Sequence, residues 1–349
     1  MKIGNREIGF HKPPYVIAEA GANHNGSVEM AFKLVEKAKE SGADCIKFQT
    51  YKTELFCEDK EKLFEYKSQG KKVIQSEFEM FKSLEFSMEK WNQIIKCCAD
   101  YQIDFMTTIQ DPIVLDEMIP LGITAIKVGS DDFDHIFNLE YYMKSGLPLL
   151  LSKGMADIEE TNQIISLLRE NNYANNTCLL HCVSLYPCDP SKINLYSIRD
   201  LRAIYPDFIW GFSDHTISPI TPSLAIMEGA TIIEKHFTLD KSLPGPDHWF
   251  SVNPNELQIL VDTVSYSFKA RGFGLISKPQ DIHRKDIMRR RIILDKNKKK
   301  GELITKDDLR FRRARKGIFP SEIYKIIGKR INRDLFSGES LERDMFFEN

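Results

Sequence analysis

The sequence lacks any long apolar run: no stretch approaches the ~20 residues that a membrane-spanning helix needs. Its opening segment, MKIGNREIGF, carries charges where a secretory signal would need a continuous apolar stretch. Both absences argue against export and against insertion into a bilayer. We therefore expect a cytoplasmic protein that does not bind membranes.

Paired cysteine motifs are also missing. None of the seven cysteines belongs to a CxxC pair, which a zinc ribbon or a thioredoxin-like redox site would need. Cys45, Cys178 and Cys182 fall within apolar runs, and Cys97-Cys98 ends a helical pattern. We expect most of these thiols to pack in the core.

A strong overall charge is absent too, since the formal net charge is −2. The charge is nevertheless unevenly distributed. Residues 284–349 contain 20 Lys and Arg against 11 Asp and Glu, a net charge of +9, which leaves −11 for the rest of the chain. A chain of 349 residues is long enough for one barrel-sized domain and one small domain. We predict the large domain over residues 1–280 and the small one over 281–349.

What the sequence does contain is a regular alternation of short apolar runs and longer amphipathic stretches. Ser27 and Gly42, for example, are typical caps for the helix that follows the first run. Near-continuous apolar strands, each followed by a helix, predict a parallel sheet covered on both faces. Eight repeats predict a closed (β/α)8, or TIM, barrel of the α/β class. The predicted strands are Tyr15–Ala20, Cys45–Thr50, Asp104–Ile109, Ala125–Ser130, Pro148–Gly154, Cys178–Ser184, Ile209–His215 and Ile232–Phe237.

Two segments depart from this repeat. Lys52–Glu85 is too long for a simple connection and follows the carboxyl end of the second strand, where barrels place active-site loops. We therefore predict that it forms a lid. Beyond the helical pattern Asn255–Arg271 and a connecting stretch with Gly272 and Pro279, short strands and turns predict a compact C-terminal domain.

Polar and ionisable residues recur where the predicted strands end. Such groups are costly to bury, and this end of a barrel carries the active site. One such residue alone is better explained by a salt bridge, but residues at eight successive strand ends indicate a polar site. Lysines and hydroxyls together suit an anionic ligand such as phosphate. The residues are Glu19, Asn23, His24, Lys47, Gln49, Thr107, Thr108, Lys127, Ser130, Lys153, His181, Ser184, Ser213, Asp214, His215, Glu234, Lys235 and His236.

Two of these strand-end residues are histidines that could bind a metal ion. His215 and His236 end neighbouring predicted strands at equivalent positions, so their imidazoles could share one divalent cation. A hydrogen-bonding or acid–base role for each would fit the pattern equally well. The residues by themselves leave both interpretations open.

Several longer motifs occur in a characteristic order: AEAGANHNG (Ala18–Gly26), IKFQTY (Ile46–Tyr51), KVGS (Lys127–Ser130), LSKGM (Leu151–Met155), LLHCVSLYP (Leu179–Pro187), GFSDHT (Gly211–Thr216) and EKHFTLDKSLPGPDH (Glu234–His248). Through them the chain resembles the bacterial N-acetylneuraminate (sialic acid) synthases and their legionaminate-synthase relatives over essentially its full length. The tail, with KKGELITKDDL and RARKGIFP, resembles their antifreeze-like (SAF) domain. The resemblance implies condensation of phosphoenolpyruvate with N-acetylmannosamine or a related N-acyl amino sugar, plus water, to a nonulosonate and phosphate.

The resemblance also implies roles for individual residues. It implies that His215 and His236 bind Mn²⁺ or Mg²⁺, and that Glu19, Glu234 and Asp247 are catalytic. It further implies a homodimer in which each tail completes the partner subunit's site. The substrate-binding residues that it implies are Lys47, Gln49, Thr108, Lys127, Ser130, Asp132, Ser184, Tyr186, Ser213 and Arg313.

Four departures from the family's usual motifs concern the site. Asp131-Asp132 stands where the family has GE, Thr107–Gln110 replaces STPF, Lys153 replaces a threonine, and Arg313–Arg315 reads RAR instead of RPG. They bear on the sugar more than on the reaction. The sequence leaves open which N-acyl sugar is used, which divalent ion is bound, which carboxylate is the acid or base, and which pathway uses the product.

Two alternatives follow from the residues. Lys127, Lys153 or Lys235 could form an imine with pyruvate, as in a Schiff-base aldolase of the same barrel class, although such chemistry would not need two histidines at adjacent strand ends. The +9 tail could instead bind nucleic acid. It lacks the interleaved aromatics of single-strand binders, so we expect no nucleic-acid partner.

Overall fold

The computed structural model describes residues 1–274 and 279–347. They belong to two compact units, Met1–Gly272 and Phe273–Asn349. Among the described residues, no helix is both long enough and apolar enough to cross a membrane. All seven cysteines are free thiols, and Cys45, Cys178 and Cys182 are buried as expected.

The first unit is a closed parallel barrel, which confirms the predicted (β/α)8 architecture. A short antiparallel ribbon, β1 (Lys2–Ile3) and β2 (Arg6–Glu7), precedes it. The barrel strands are β3 (Tyr15–Gly21), β4 (Cys45–Thr50), β7 (Asp104–Ile109), β8 (Ile126–Val128), β9 (Leu149–Ser152), β10 (Thr177–His181), β11 (Ile209–Asp214) and β12 (Ile232–His236). Each pairs in parallel with the next, and β12 closes the ring against β3.

Helices follow the strands and cover the outside of the barrel. The first begins after Ser27, whose Oγ accepts a hydrogen bond from Met30 N at 3.1 Å. Gly42 follows its last residues with φ of +83°, a conformation that favours glycine, so both predicted caps are present. The helices are α1 (Val28–Glu40), α2 (Thr53–Phe56), α3 (Glu77–Leu84), α4 (Met88–Asp100), α5 (Pro112–Met118), α6 (Ile136–Met143), α7 (Ile158–Glu170), α8 (Tyr196–Ile204), α9 (Thr221–Glu228) and α10 (Pro254–Arg271).

Alternation along each strand separates two buried layers. Ile17 packs with Met106 and Leu180 from other strands in the barrel interior, whereas Val16 and Ala18 pack outward against the helices. The inward set becomes polar toward the carboxyl ends of the strands. The period of two therefore decides which strand-end residues can reach a shared site.

The long connection after β4 folds into an antiparallel hairpin, β5 (Leu63–Ser68) and β6 (Lys71–Ser76), between α2 and α3. Gln69 and Gly70 both have positive φ, as a two-residue hairpin turn that follows the strand twist requires. The segment predicted as a lid thus has its own regular structure.

The second unit has a separate core. It contains α11 (Lys285–Met288) and an antiparallel pair, β13 (Arg290–Leu294) and β14 (Leu309–Arg313), with short 3₁₀ turns. Ile292, Leu294 and Ile331 are buried together in this unit.

Candidate active site

Two connected cavities lie at the carboxyl ends of the barrel strands. The inner one, of about 370 Å³, is lined by Glu19, Lys47, Lys127, Ser130, Ser213 and Glu234, among others. The outer one, of about 800 Å³, is lined by the β5–β6 hairpin and the loop carrying Asp247. Gln49, Ser184, Tyr186 and His236 border both cavities.

The inner cavity is centred on a buried network around Lys47. Its Nζ lies 2.7 Å from Glu19 Oε2 and 3.9 Å from Glu234 Oε2, and it donates to Thr108 Oγ1 at 2.9 Å. Ser213 Oγ donates to Glu234 Oε1 at 3.0 Å. These groups come from five strands whose carboxyl ends meet, which concentrates one cation and two carboxylates in a site sheltered from water.

A second buried lysine, Lys127 on β8, also lines the inner cavity. Lys127 Nζ donates to Ser152 Oγ at 2.6 Å and to Val128 O at 2.8 Å. Burial lowers the pKa of Lys127, whereas Glu234 acts to raise it. The pKa of Lys47 is raised because Glu19 and Glu234 outweigh the opposing effect of burial.

A serine and a glycine complete one wall. Gly154 N donates to Ser130 Oγ at 3.0 Å, and that hydroxyl lies 3.1 Å from Cys182 Sγ. A Cβ on Gly154 would lie 2.5 Å from Ser184 Oγ and 2.7 Å from Ser130 Oγ. The absence of a side chain at residue 154 therefore keeps two hydroxyls in place and the wall close to the cavity.

Two buried carboxylates have opposite pKa shifts. Burial, with Glu234 nearby, raises the pKa of Glu19 to about 7 despite the ion pair with Lys47. The pKa of Glu234 is lowered, because Lys127, Lys47 and the Ser213 hydroxyl outweigh the effect of burial. Paired carboxyl groups whose pKa values are pushed apart can take different proton-transfer roles at neutral pH.

Comparison with known proteins identifies the family of the chain. A model described as the NeuB family matches residues 34–275, and a model described as the SAF domain matches residues 292–346. The chain belongs to the NeuB family. It is an enzyme of the sialic acid synthase type, and this decides between the synthase and the Schiff-base aldolase in favour of the synthase.

Individual relatives of this NeuB-family chain cover nearly all of it. The N,N'-diacetyllegionaminic acid synthase of Legionella pneumophila is 37% identical over 348 residues, 97% of either chain. Human N-acetylneuraminate-9-phosphate synthase is 30% identical, over 93% of this chain and 90% of its own. The crystal structure of the N-acetylneuraminic acid synthetase of Leptospira borgpetersenii in complex with citrate matches with a TM-score of 0.74 and 32% identity, covering 82% of this chain and 96% of that one.

The two histidines of the NeuB-family barrel lie side by side, with ring centroids 5.6 Å apart. His215 Nδ1 is hydrogen-bonded to Val183 O at 2.8 Å, which leaves its Nε2 as the nitrogen available to a ligand. His236 Nδ1 is buried, has no hydrogen-bond partner among the described residues, and lies 3.8 Å from Asp247 Oδ2. Burial lowers the pKa of both imidazoles and raises that of Asp247 to about 6.

Neutral imidazoles with an uncommitted nitrogen are suitable metal donors, so the pair fits a divalent cation. Within residues 1–274 and 279–347, no group of three or more His, Cys, Asp and Glu side chains is arranged to hold one. The protein would therefore contribute two nitrogens and leave the remaining coordination positions to substrate and water.

Other predicted site residues of this NeuB-family chain line the two cavities. Gln49 Nε2 donates to Glu19 Oε1 at 3.2 Å, and the Tyr186 ring lies 4.1 Å from that of His215. Ser184 Oγ is buried without a hydrogen-bond partner among the described residues, which indicates a ligand or water there. Asp131, rather than Asp132, borders the inner cavity; burial and Asp131 raise the pKa of Asp132 to about 6.

Several polar strand-end residues of the NeuB-family barrel have structural roles outside both cavities. Lys235 Nζ lies 2.7 Å from Asp214 Oδ2 in a buried ion pair, and His181 Nε2 is hydrogen-bonded to Ile193 O at 2.7 Å. Asn23 Nδ2 donates to Phe237 O at 2.8 Å. These residues fit the pattern of polar residues at strand ends. That pattern alone does not distinguish residues that face the cavities from residues that face away from them.

Some residues that line the inner cavity were not among the predicted site residues, and Ser152, Met155 and Gln110 are examples. Ser152 holds Lys127, Met155 lines the inner cavity, and Gln110 contributes a buried Oε1 without a hydrogen-bond partner among the described residues. The inward register of the strands identifies Ser152, which alternates with buried Leu151. Gln110 follows β7, and no spacing rule would have selected it.

Arg313 belongs to the second unit, where it ends β14. It is exposed and pairs in register with Arg290 across the two strands. It also borders a cavity of about 410 Å³ with Asp286, Ile287 and Arg315. Like charges directly opposite on paired strands repel each other, so an anionic or carbonyl partner would be favourable there.

Proposed function

We propose that the chain condenses phosphoenolpyruvate with an N-acyl amino sugar, N-acetylmannosamine or a relative, and water, giving a nonulosonate and phosphate. The observation that carries this proposal is the buried network of Lys47, Glu19 and Glu234 beside two neutral imidazoles. The names of the relatives support the reaction class: synthases of N,N'-diacetyllegionaminic acid, pseudaminic acid and N-acetylneuraminate-9-phosphate are among them.

Phosphoenolpyruvate is proposed to bind in the inner cavity. Lys47 and Lys127 would neutralise its carboxylate and phosphate, while Ser130, Ser184 and Ser213 would donate hydrogen bonds. Thr108 would fix the position of Lys47, as it does here at 2.9 Å. Because these donors are already in place around the anion, they do not have to reorganise when charge moves during the reaction.

The sugar is proposed to bind between the two cavities, beside Gln49, Tyr186, Asp247 and Asp131 or Asp132. His215 and His236 would hold the divalent ion, Mn²⁺ or Mg²⁺, that the family resemblance implies. When bound, such an ion supplies Lewis acidity that polarises the sugar's aldehyde. The two imidazoles would hold the ion, and Val183 O fixes the ring of His215.

The C2–C3 π electrons of phosphoenolpyruvate form the new bond from C3 to the aldehyde carbon, and the aldehyde oxygen takes up a proton. The positive charge left at C2 is then captured by water. Glu19 is proposed to accept the proton of that water, because its pKa of about 7 allows exchange at neutral pH. The tetrahedral carbon then expels phosphate with cleavage of the C–O bond. Glu234, held ionised by two lysines, would stabilise the developing positive charge.

The proposed biological unit is a homodimer in which the tails are exchanged between subunits. The catalytic part would be residues 1–280, and residues 281–349 would contribute Arg313 to the partner subunit's barrel. The exposed Arg313, opposite Arg290, supports an interaction with an electron-rich group.

The proposed reaction is tested by phosphate release from phosphoenolpyruvate with a panel of acceptors. The panel contains N-acetylmannosamine, its 6-phosphate and a 2,4-diacetamido-2,4,6-trideoxymannose, each with Mn²⁺ and with Mg²⁺. We expect acceptor-dependent release of phosphate together with an equal amount of a nonulosonate. Phosphate release that is independent of every acceptor, or none at all, would contradict the proposal.

A further inference from the structure

The position of the Asp247 carboxylate depends on the backbone that carries it. The carboxylate lies 3.8 Å from His236 Nδ1. Within the part of the chain that the structure describes, no donor forms a hydrogen bond to this carboxylate. Asp247 belongs to the β12–α10 loop, residues 237–253. What holds this loop therefore decides where the carboxylate stands relative to His236.

The two ends of this loop are joined by Asn23 of the β3–α1 loop, residues 22–27. Asn23 is buried, and its Nδ2 donates to Phe237 O at 2.8 Å and to Ser251 Oγ at 3.0 Å. Ser251 Oγ in turn donates to Asp247 O at 2.6 Å. One side-chain amide thus reaches the backbone of Asp247 through a single hydroxyl.

Asn25, from the same short β3–α1 loop, holds the middle of the β12–α10 loop. Its Nδ2 donates to Pro244 O at 2.9 Å, and its Oδ1 lies 3.2 Å from His248 Nε2. Because Asn25 Oδ1 can only accept, His248 Nε2 carries the proton of this bond. His248 Nδ1 lies 2.6 Å from Thr238 Oγ1 and accepts from that hydroxyl. The completely buried imidazole therefore uses both nitrogens, one of them to join the two loops.

We propose that Asn25 and His248 are positioning residues: through the bond between them they hold the β12–α10 loop so that the Asp247 carboxylate stays beside His236. The inference rests on the proposed function, in which Asp247 lies beside the sugar. Among the described residues that line the two cavities, neither Asn25 nor His248 is found, so both act through Asp247. A displacement of about 1 Å at a reacting group can cost about 100-fold in rate.

A purely structural role of the same bond predicts a different outcome. A bond that only stabilises the fold contributes equally whatever residue stands at position 247. A bond that positions Asp247 loses its importance for the reaction once the carboxylate is gone. The two roles are therefore separated by measuring the same substitution with and without that carboxylate.

Two conservative substitutions of His248 separate its two contacts. In His248→Gln the side-chain amide can take the place of Nε2 and donate to Asn25, whereas in His248→Asn it reaches only the place of Nδ1, beside Thr238 of the same loop. We expect His248→Asn to lower kcat/KM for the sugar by about 30-fold and His248→Gln by less than about threefold. The KM of phosphoenolpyruvate should change by less than about threefold in both. Equal losses in the two variants would overturn the inference.

Asn25→Gly tests the other side of the bond. Asn25 has φ of +49°, which glycine adopts freely, so the substitution removes the side chain and keeps the backbone conformation. It should reproduce the loss of His248→Asn. Asn172→Gly is the matched control, since Asn172 is exposed and has φ of +56°. A normal kcat/KM in Asn25→Gly would overturn the inference.

Tryptophan fluorescence reports on the loop without any turnover. Trp249 follows His248 and is partly exposed, whereas Trp91 and Trp210 are each 1% exposed, so acrylamide quenches mainly Trp249. We expect His248→Asn and Asn25→Gly to raise the quenching constant by about 1.5-fold or more over wild type and His248→Gln. Circular dichroism checks that each variant is folded. Unchanged quenching in both variants would overturn the inference.

A double-mutant cycle with Asp247→Asn completes the test. Single-turnover assays at high enzyme concentration keep slow variants measurable. In the Asp247→Asn protein, His248→Asn should lower kcat/KM for the sugar by less than about threefold. The same fold loss with and without the carboxylate would overturn the inference and leave the reaction intact. Absence of turnover by the wild-type protein with every acceptor of the panel would instead overturn the proposed function.

Discussion

Glu19 Oε2 lies 2.7 Å from Lys47 Nζ, and the two residues are aligned in register on adjacent strands β3 and β4. Both side chains are almost completely buried. The lysine keeps its proton, whereas burial holds the carboxyl group near the point of half-ionisation at neutral pH, with a pKa of about 7. Burial, which outweighs the ion pair with Lys47, therefore makes the protonation state of Glu19 sensitive to pH near 7.

We predict that kcat/KM for phosphoenolpyruvate falls as pH decreases through about 7, because a proton-accepting Glu19 must be ionised and its pKa is raised to about 7. Glu19→Gln should lower turnover by about 100-fold or more and abolish this limb of the profile. A pH–rate profile from 5.5 to 9 measures both effects. A flat wild-type profile, or the same limb in the Gln variant, would show that another group titrates.

Gly154→Ala is predicted to raise the KM for phosphoenolpyruvate by about tenfold or more. The added Cβ would approach Ser184 Oγ to 2.5 Å and Ser130 Oγ to 2.7 Å, so both hydroxyls would have to move. Steady-state kinetics at saturating sugar report the change. Gly9→Ala is the control, because the nearest atom to a Cβ there is 4.0 Å away. An unchanged KM in Gly154→Ala would remove these hydroxyls from the proposed cradle.

Periodicity predicted the barrel and its inward-facing polar residues, because strand alternation and strand ends are local properties of the sequence. Applied more strictly, the same period of two would have separated Glu234 and His236, which face the cavities, from Lys235, which pairs with Asp214. The ion pair with Asp214 compensates for the cost of burying the charge of Lys235, which lies outside the site. One residue of register thus distinguishes a structural ion pair from a functional group.

The outer cavity was harder to predict. The length of the segment after β4 predicts a lid, but not the hairpin that β5 and β6 form around the Gln69-Gly70 turn. Even with the hairpin assigned, its contact with Trp249 depends on residues about 180 positions apart in the sequence, and a single sequence carries no signal for such pairings.

Removal of divalent ions is predicted to abolish turnover, and Mn²⁺ or Mg²⁺ should restore it. His215→Ala and His236→Ala should each lower both turnover and the bound metal content by about 100-fold or more, since each removes one of two protein nitrogens. Elemental analysis after dialysis provides a readout independent of activity. His283→Ala, an exposed histidine of the second unit, is the control. Full activity in excess chelator would refute the metal role.

Arg313 is the residue that tests exchange of tails between subunits. Its planar guanidinium can bind a carbonyl or carboxylate group of the sugar with two parallel hydrogen bonds, which a lysine cannot reproduce. Arg313→Ala should therefore raise the KM of the sugar and lower turnover by about tenfold or more, with little change in the KM of phosphoenolpyruvate. Arg315→Ala, which removes a neighbouring arginine of the same RAR motif, is the matched control.

Mixing two impaired proteins decides whether Arg313 acts on its own barrel or on that of a partner. Arg313→Ala supplies an intact barrel, and Glu234→Gln, a near-isosteric change, supplies an intact tail. If the tails act between subunits, each mixed dimer contains one complete site, and an equal mixture should regain about a quarter of wild-type activity after subunit exchange. If each tail serves its own barrel, every site in the mixed dimer lacks one of the two residues. Mixed dimers demonstrated by mass spectrometry whose activity stays at the average of the two separate variants would therefore exclude the exchanged arrangement.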